Sequence, residues 1–204
     1  MYKRQLELSG KPTKVLSGDK IGKVTITIEN TEMVLVSSAD ELAAALAQGG
    51  HIKLAAGAEI TSISVPADTT VLIDLNEVSG VTLTIADGAN VTITTTNANK
   101  YWRAIDSVTI GSASLTTTGL TYIENSLVLN STEARIDLGS VISPPGLEVT
   151  AMVSGCNTSQ FTLESGVNFH DCVNGNSMPP DTVISGELTP NKNYYVGYDF
   201  VPIV

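Results

Sequence analysis

Three aspartates, Asp74, Asp106 and Asp137, each directly follow an isoleucine in a short strand-like run. Carboxylates are the working groups of glycoside hydrolysis, which needs two of them held roughly 5 to 9.5 Å apart. Asp74 and Asp106 are 32 residues apart, and Asp106 and Asp137 are 31 apart. Neither interval is a whole multiple of the 21-residue coil developed below, so the three acids are not expected to stack. They read instead as exposed strand carboxylates that keep a rod soluble and its edges unpaired.

The two histidines offer little more. His51 follows the Gly49-Gly50 pair and has no Ser, Cys or acid at a triad spacing, so it reads as a loop histidine. His170 stands beside Asp171 and has the better case for an oriented imidazole. Cys156 and Cys172 form no CxxC, and His170 near Cys172 lacks the remaining ligands of a zinc site. Two reduced, half-buried thiols and a single disulfide are both compatible with this pattern. No residue pattern demands a cofactor.

For recognition, the best local candidate is KYWRA, where Tyr101, Trp102 and Arg103 are adjacent. Sugar rings stack on aromatic faces, and a guanidinium hydrogen-bonds hydroxyls or carboxylates. The alternative has Trp102, the single tryptophan, capping the core while Tyr101 points outward. Tyr194, Tyr195 and Tyr198 read as packing within a terminal sheet. Thr25-x-Thr27, Thr82-x-Thr84, Thr92-x-Thr94 and Thr116 to Thr118 raise a further idea, a flat threonine ladder of the ice-binding kind. Threonine is also simply a good residue for an exposed strand face.

The elements that must carry these residues are strands. Of 204 residues, 42% are apolar and only 16% charged, a low charge density that leaves room for abundant Thr, Ser, Gly, Val and Ile. The net charge of -10 argues against a nucleic-acid surface. Lys3, Arg4, Lys11, Lys14, Lys20 and Lys23 are interspersed with Gly, Pro and acids and read as a solvated arm. No run approaches the roughly 18 apolar residues of a membrane span. MYKRQ is what GTG-TAT-AAG-AGA-CAG encodes, a string like the transposon end of sequencing libraries, so residues 1–5 read as adapter-derived and the natural start as missing.

KVTITIE (23 to 29) and MVLVSS (33 to 38) alternate as strands do. One helix follows: Ser38 caps it, Glu41 completes a capping box, Ala39, Leu42, Ala43 and Leu46 share a face, and Gly49-Gly50 ends it. From there to the end, short apolar runs are punctuated by Gly, Asn, Asp and Pro. Asp87-Gly88 normally marks a two-residue hairpin. In that register Leu83 would face Thr92 and Ile85 would face Asn90, core against surface. A coil restores the pattern, with strands stacking in parallel one turn later and Gly and Asp at the corners. IDL at 73–75 recurs at 136–138, a gap of 63 residues, or three coils of 21.

SSADELAAALAQGGHIKLAAGAEIT followed by VPADTTVLIDLN resembles the start of right-handed parallel β-helices of the pectate-lyase-like kind, over about residues 34 to 97. Glu77 stands where Gly is usual after IDLN, and the NTD, DD and RIK strings of pectin-degrading relatives are missing. SQFTLESGVNFHDC and ISGELTPNKNYYVGYDF resemble a small β module that closes tail and fibre proteins of phages of gut bacteria. Thr162, Leu163, Gly166 and Val167 match its FTLP.GV.W motif, with Glu164 for Pro and Phe169 for Trp.

The expected fold is therefore all-β: a right-handed parallel β-helix (β-solenoid) with one N-terminal capping helix and a small C-terminal β module. The expected organisation is an N-terminal β segment at 6–37, the β-helix at 38–145 with its helix at 38–48, and the module at 146–204. The resemblance implies a structural and attachment protein, a virion tail or fibre component and homotrimer that meets a host surface glycan or protein; the residues add the expectation that it is non-enzymatic, with Tyr101, Trp102 and Arg103 as the receptor-contact candidates. A bacterial cell-surface adhesin and a polysaccharide lyase or glycoside hydrolase are the alternatives.

Overall fold

The alternation in VTLTI and NVTIT becomes stacking in three dimensions. A computed structural model describes residues 32–95, 105–119, 121–138, 146–171 and 182–199. In chain order its elements are β1 (Met33–Val36), α1 (Ala39–Leu46), β2 (Gly50–Leu54), β3 (Ser62–Val65), β4 (Thr70–Asp74), β5 (Val81–Ile85), β6 (Asn90–Thr94), β7 (Ile105–Ile110), β8 (Ser114–Thr117), β9 (Ile123–Leu129), β10 (Arg135–Asp137), β11 (Leu147–Ala151), β12 (Phe161–Thr162), β13 (Val167–Asp171), β14 (Val183–Ile184) and β15 (Asn193–Tyr198). The strand expected at 23 to 29 lies outside the described residues.

From β2 onward the chain alternates between two sheets, one ordered β1-β2-β4-β6-β8-β10-β12 and the other β3-β5-β7-β9-β11-β15-β13-β14. Each coil gives one strand to each sheet and stacks in parallel on the coil before, forming a β-solenoid of about five turns. After β12 the pairing changes: β15 runs antiparallel to β11, and β13 runs antiparallel to β15 and to β14.

Stacking puts like on like. In the first sheet Val71, Val91, Leu115 and Ile136 form one inward column, and in the second Ile63, Leu83, Val108, Leu127 and Val149 form another. All nine side chains are buried. Each aliphatic residue packs against equivalents above and below, so the core is a set of ladders and not a single cluster centre.

The coils are not uniform. Val71 to Val91 spans 20 residues, Val91 to Leu115 spans 24, and Leu115 to Ile136 spans 21. Three coils do separate the two IDL strings, but Ile136 stacks above Val71 and not Ile73. The second IDL is thus two residues out of register with the first, because the Val91 coil carries an insertion.

Asp87-Gly88 is a corner, as the register requirement demanded: β5 and β6 lie in different sheets. The corner is itself stacked. Asp68 N–H donates to the Asp87 carbonyl at 3.1 Å, and Gly88 N–H donates to the Ser112 carbonyl at 2.8 Å. Asp87 Oδ1 accepts from Ser112 N–H at 2.7 Å, and the hydroxyls of Ser112 and Ser131 meet at 2.8 Å. Gly88 has φ +76°, and a Cβ there would overlap the Asp68 carboxylate.

α1 closes the start of the solenoid. Ser38 Oγ accepts from Glu41 N–H at 3.3 Å. Glu41 Oε2 accepts from both the amide and the hydroxyl of Ser37 at 2.8 Å, so the return arm of the cap reaches one residue further back than a capping box would. The buried face is Leu42, Ala45 and Leu46, while the expected Ala39 and Ala43 are exposed. Gly49 ends the helix at φ +70°, where a Cβ would meet the Thr70 carbonyl oxygen at 2.7 Å.

Two outcomes follow. Gly88→Ala combines left-handed backbone with a steric overlap, so it should cost about 1 to 3 kcal/mol and lower the thermal midpoint by several degrees. Hydrogen bonds from Ser37 hold the Glu41 carboxyl below the ordinary carboxylate range. A lowered folded-state value contributes stability above the unfolded value that is lost as pH falls through the lowered one. Glu41→Gln should therefore flatten the decline of thermal stability below about pH 5, which melting curves across the acid range will show.

Candidate functional site

The three aspartates do not gather. Asp74 lies on β4 and Asp137 on β10, in one sheet but three strands apart, which at about 4.8 Å per strand is roughly 14 Å. Asp137 belongs to the column of Thr116, Thr92 and Leu72, not to that of Asp74. Asp106 lies on β7 in the other sheet, where it accepts from Asn125 Nδ2 at 2.6 Å.

Asp74 is not an exposed strand carboxylate: it is only 2% exposed. Its register partner Lys53 brings Nζ to 3.2 Å from Oδ2, and Oδ1 accepts from Asn76 N–H at 2.9 Å. Asn76 takes φ +54° and donates Nδ2 to the Leu54 carbonyl of the preceding coil at 3.1 Å. The positive φ of this corner thus falls on Asn76, which is why Glu77 is accommodated where glycine was expected. Asp74 acts as a tie between coils.

His51 sits on β2, between Met33 and Leu72 in an outward column. His170 is buried on β13, and its acidic neighbour in space is Asp199, not Asp171. Strand alternation explains the exchange, since successive side chains point to opposite faces. Asp171 is instead gripped by Lys192 at 2.7 to 2.8 Å, and Lys192 also lies 5.2 Å from the Tyr194 ring centre.

Cys156 is a free, buried thiol whose Sγ lies 3.6 Å from the Ser131 carbonyl oxygen. Burial pushes its pKa up, the condition of an inert structural cysteine. Cys172 lies outside the described residues. Among the described residues no group of three or more His, Cys, Asp or Glu could hold a metal ion.

The threonine motifs divide between the sheets. Thr82 and Thr84 belong to the second sheet, in register with Ser62 and Ser64 on one side and Ser107 and Thr109 on the other. Thr92 and Thr116 belong to the first, in a column that also holds Leu72 and Asp137. Thr117 is buried, and Thr25 and Thr27 lie outside the described residues. No single flat ladder collects these sites.

Tyr101, Trp102 and Arg103 also lie outside the described residues, but the connection that carries them is placed at both ends. It leaves β6 in the first sheet and returns at β7 in the second. Connections along this edge of the solenoid occupy residues 55–61, 75–80, 95–104, 118–122 and 138–146. The two longest are the one bearing KYWRA and the one two coils further on. Along the opposite edge four corners are short, at 66–69, 86–89, 111–113 and 130–134, and a fifth, between β11 and β12, is longer at 152–160. The KYWRA connection re-enters the sheet at a register irregularity between Ile105 and Ser107, where Asp106 and Asn125 meet. Bulges of this kind re-aim side chains next to functional loops. Alternating strand patterns in the sequence do not report this shared edge, because it depends on coil count and not on local composition.

No protein-family model, curated protein or solved structure gives a significant match to this chain.

Removing one partner from the Lys53–Asp74 pair leaves a buried carboxylate without its cation. Lys53→Met should cost about 2 kcal/mol, a figure reduced from the fully buried case because Lys53 retains some solvent. Denaturant titration measures it, and a loss near zero would remove Asp74 as an inter-coil tie.

Proposed function

We propose that the chain is a non-enzymatic structural and attachment protein, a component of a phage tail or fibre that meets a host surface glycan through Tyr101, Trp102 and Arg103. The observation that carries the reading is the edge where the chain passes from the first sheet to the second: the connection bearing KYWRA and the 138–146 connection, the two longest there, both cross at it. In stacked-repeat proteins per-coil insertions collect on the binding face, because corners can lengthen without disturbing the ladders. Adjacent aromatic rings and a guanidinium suit a sugar ring bearing hydroxyls or carboxylates.

The wide separation of Asp74, Asp106 and Asp137 supports the non-enzymatic side of the reading, since a glycosidase pair works at roughly 5 to 9.5 Å. The virion location rests on the resemblance of residues 161–196 to a tail-fibre module, and a bacterial cell-surface adhesin would use the same fold and edge. The homotrimer follows from the fibre reading, in which slender solenoids cover one another's surface.

The test is binding of the purified chain to bacterial cells and to immobilised surface polysaccharide. Trp102→Ala should reduce glycan binding at least tenfold while leaving the circular dichroism unchanged. Unchanged binding removes KYWRA as the contact, and turnover of the polysaccharide overturns the non-enzymatic reading. Light scattering should give three times the chain mass, and a clean monomer counts against the fibre.

A further inference from the structure

We infer that His170 and Asp199 form a proton-operated clasp that fastens the end of β15 to β13. Val167 and Phe169 of β13 join the core, so alternation puts Asn168 and His170 on the other face of the strand. His170 is nevertheless only 1% exposed, and neither ring nitrogen has a hydrogen-bond partner among the described residues. Buried polar groups without partners are rare and call for an explanation.

A carboxylate already stands close to the ring. Asp199 Oδ1 lies 3.8 Å from His170 Nε2, too far for a hydrogen bond but close enough for an ion pair. Its carboxylate is fixed by Asn168 Nδ2, which donates to the two oxygens at 2.7 and 2.9 Å. Its backbone N–H donates to the Gly166 carbonyl at 2.9 Å.

The other charged and titratable groups around the imidazole are engaged elsewhere. Across β15 the register partner of His170 is Tyr195, and across β14 it is Val183. Asp171 is bound to Lys192, and Glu148, one strand beyond Tyr195 in the same column, accepts from Asn193 Nδ2. Among the described residues, Asp199 is therefore the carboxylate that faces the ring. Imidazole is the side chain that gains a proton between about pH 5 and 8. Once charged, it attracts Asp199 across a short and partly dry gap, while the neutral ring does so only weakly. Acidification thus switches on the coupling between two strands.

Asp199→Asn in the full chain tests this through amide hydrogen exchange of residues 193–198. Protection should fall about fivefold more at pH 5.5 than at pH 8, and that difference should vanish in a His170→Gln background. The Asn168 contact is altered at both pH values and cancels in the comparison. Where His170→Gln fails to fold, Asp199→Glu decides: it keeps the carboxylate, so its difference between the two pH values should stay below half that of Asp199→Asn. Equal losses at both pH values, a difference that survives in His170→Gln, or one as large in Asp199→Glu as in Asp199→Asn overturns the clasp.

Discussion

A coil of some twenty residues carries two short strands, each with unpaired backbone edges and one apolar face, and it can satisfy neither by itself. Both needs are met only by a second coil in register above it. That requirement governs the rest of the molecule. It selects Val, Ile and Leu for the inward positions, because branched side chains fit a pleated surface against copies of themselves. It also relegates Ser and Thr to the outward positions of β3, β5 and β7, where Ser62, Thr82 and Ser107 line up across three strands. The corner polar groups obey the same rule: Asp68, Asp87, Ser112 and Ser131 link successive turns as the side-chain columns do.

Stacking solves the interior and creates a problem at each end, where the last coil presents an open edge. The two ends answer differently. At the start, α1 replaces the second-sheet strand and lays Leu42 and Leu46 over the core, while β1 extends the first sheet with Met33 and Leu35 exposed at 50% and 62%. At the far end the pairing turns antiparallel, and β15 and β13 continue the second sheet with Tyr194, Val196 and Phe169 in its buried columns. Phe161 and Phe169 meet edge to face at 4.8 Å, joining the final strand of one sheet to the closing strands of the other.

Much of this was legible in the sequence because it is local. The helix cap at Ser38, the strand alternation and the parity conflict at Asp87-Gly88 all depend on residues within one turn of each other. Properties that accumulate along the chain were not legible. A four-residue lengthening between Val91 and Leu115 shifts which sequence positions fall in each later column while the columns themselves stay in register, so the two IDL strings, equal in letters, occupy different columns. The burial of Asp74 was likewise hidden, since Lys53 reaches it from a coil away. His170 shows the limit of adjacency as a guide: its sequence neighbour Asp171 faces elsewhere, and Asp199, just past the end of the antiparallel strand β15, takes its place.

The division between ladders and corners also limits where recognition can evolve. A change in a strand alters two neighbouring rungs at once, as any substitution in the column of Leu83 would press on both Ile63 and Val108. A corner has no such penalty on the side away from the stack, and the crossing from the first sheet to the second accepts five to ten residues without disturbing strand register beyond the bulge at Ile105. Loop length is therefore a nearly free variable at the corners. Corner side chains can be exchanged while Val, Ile and Leu stay fixed, which separates the residues that hold the solenoid together from those free to vary.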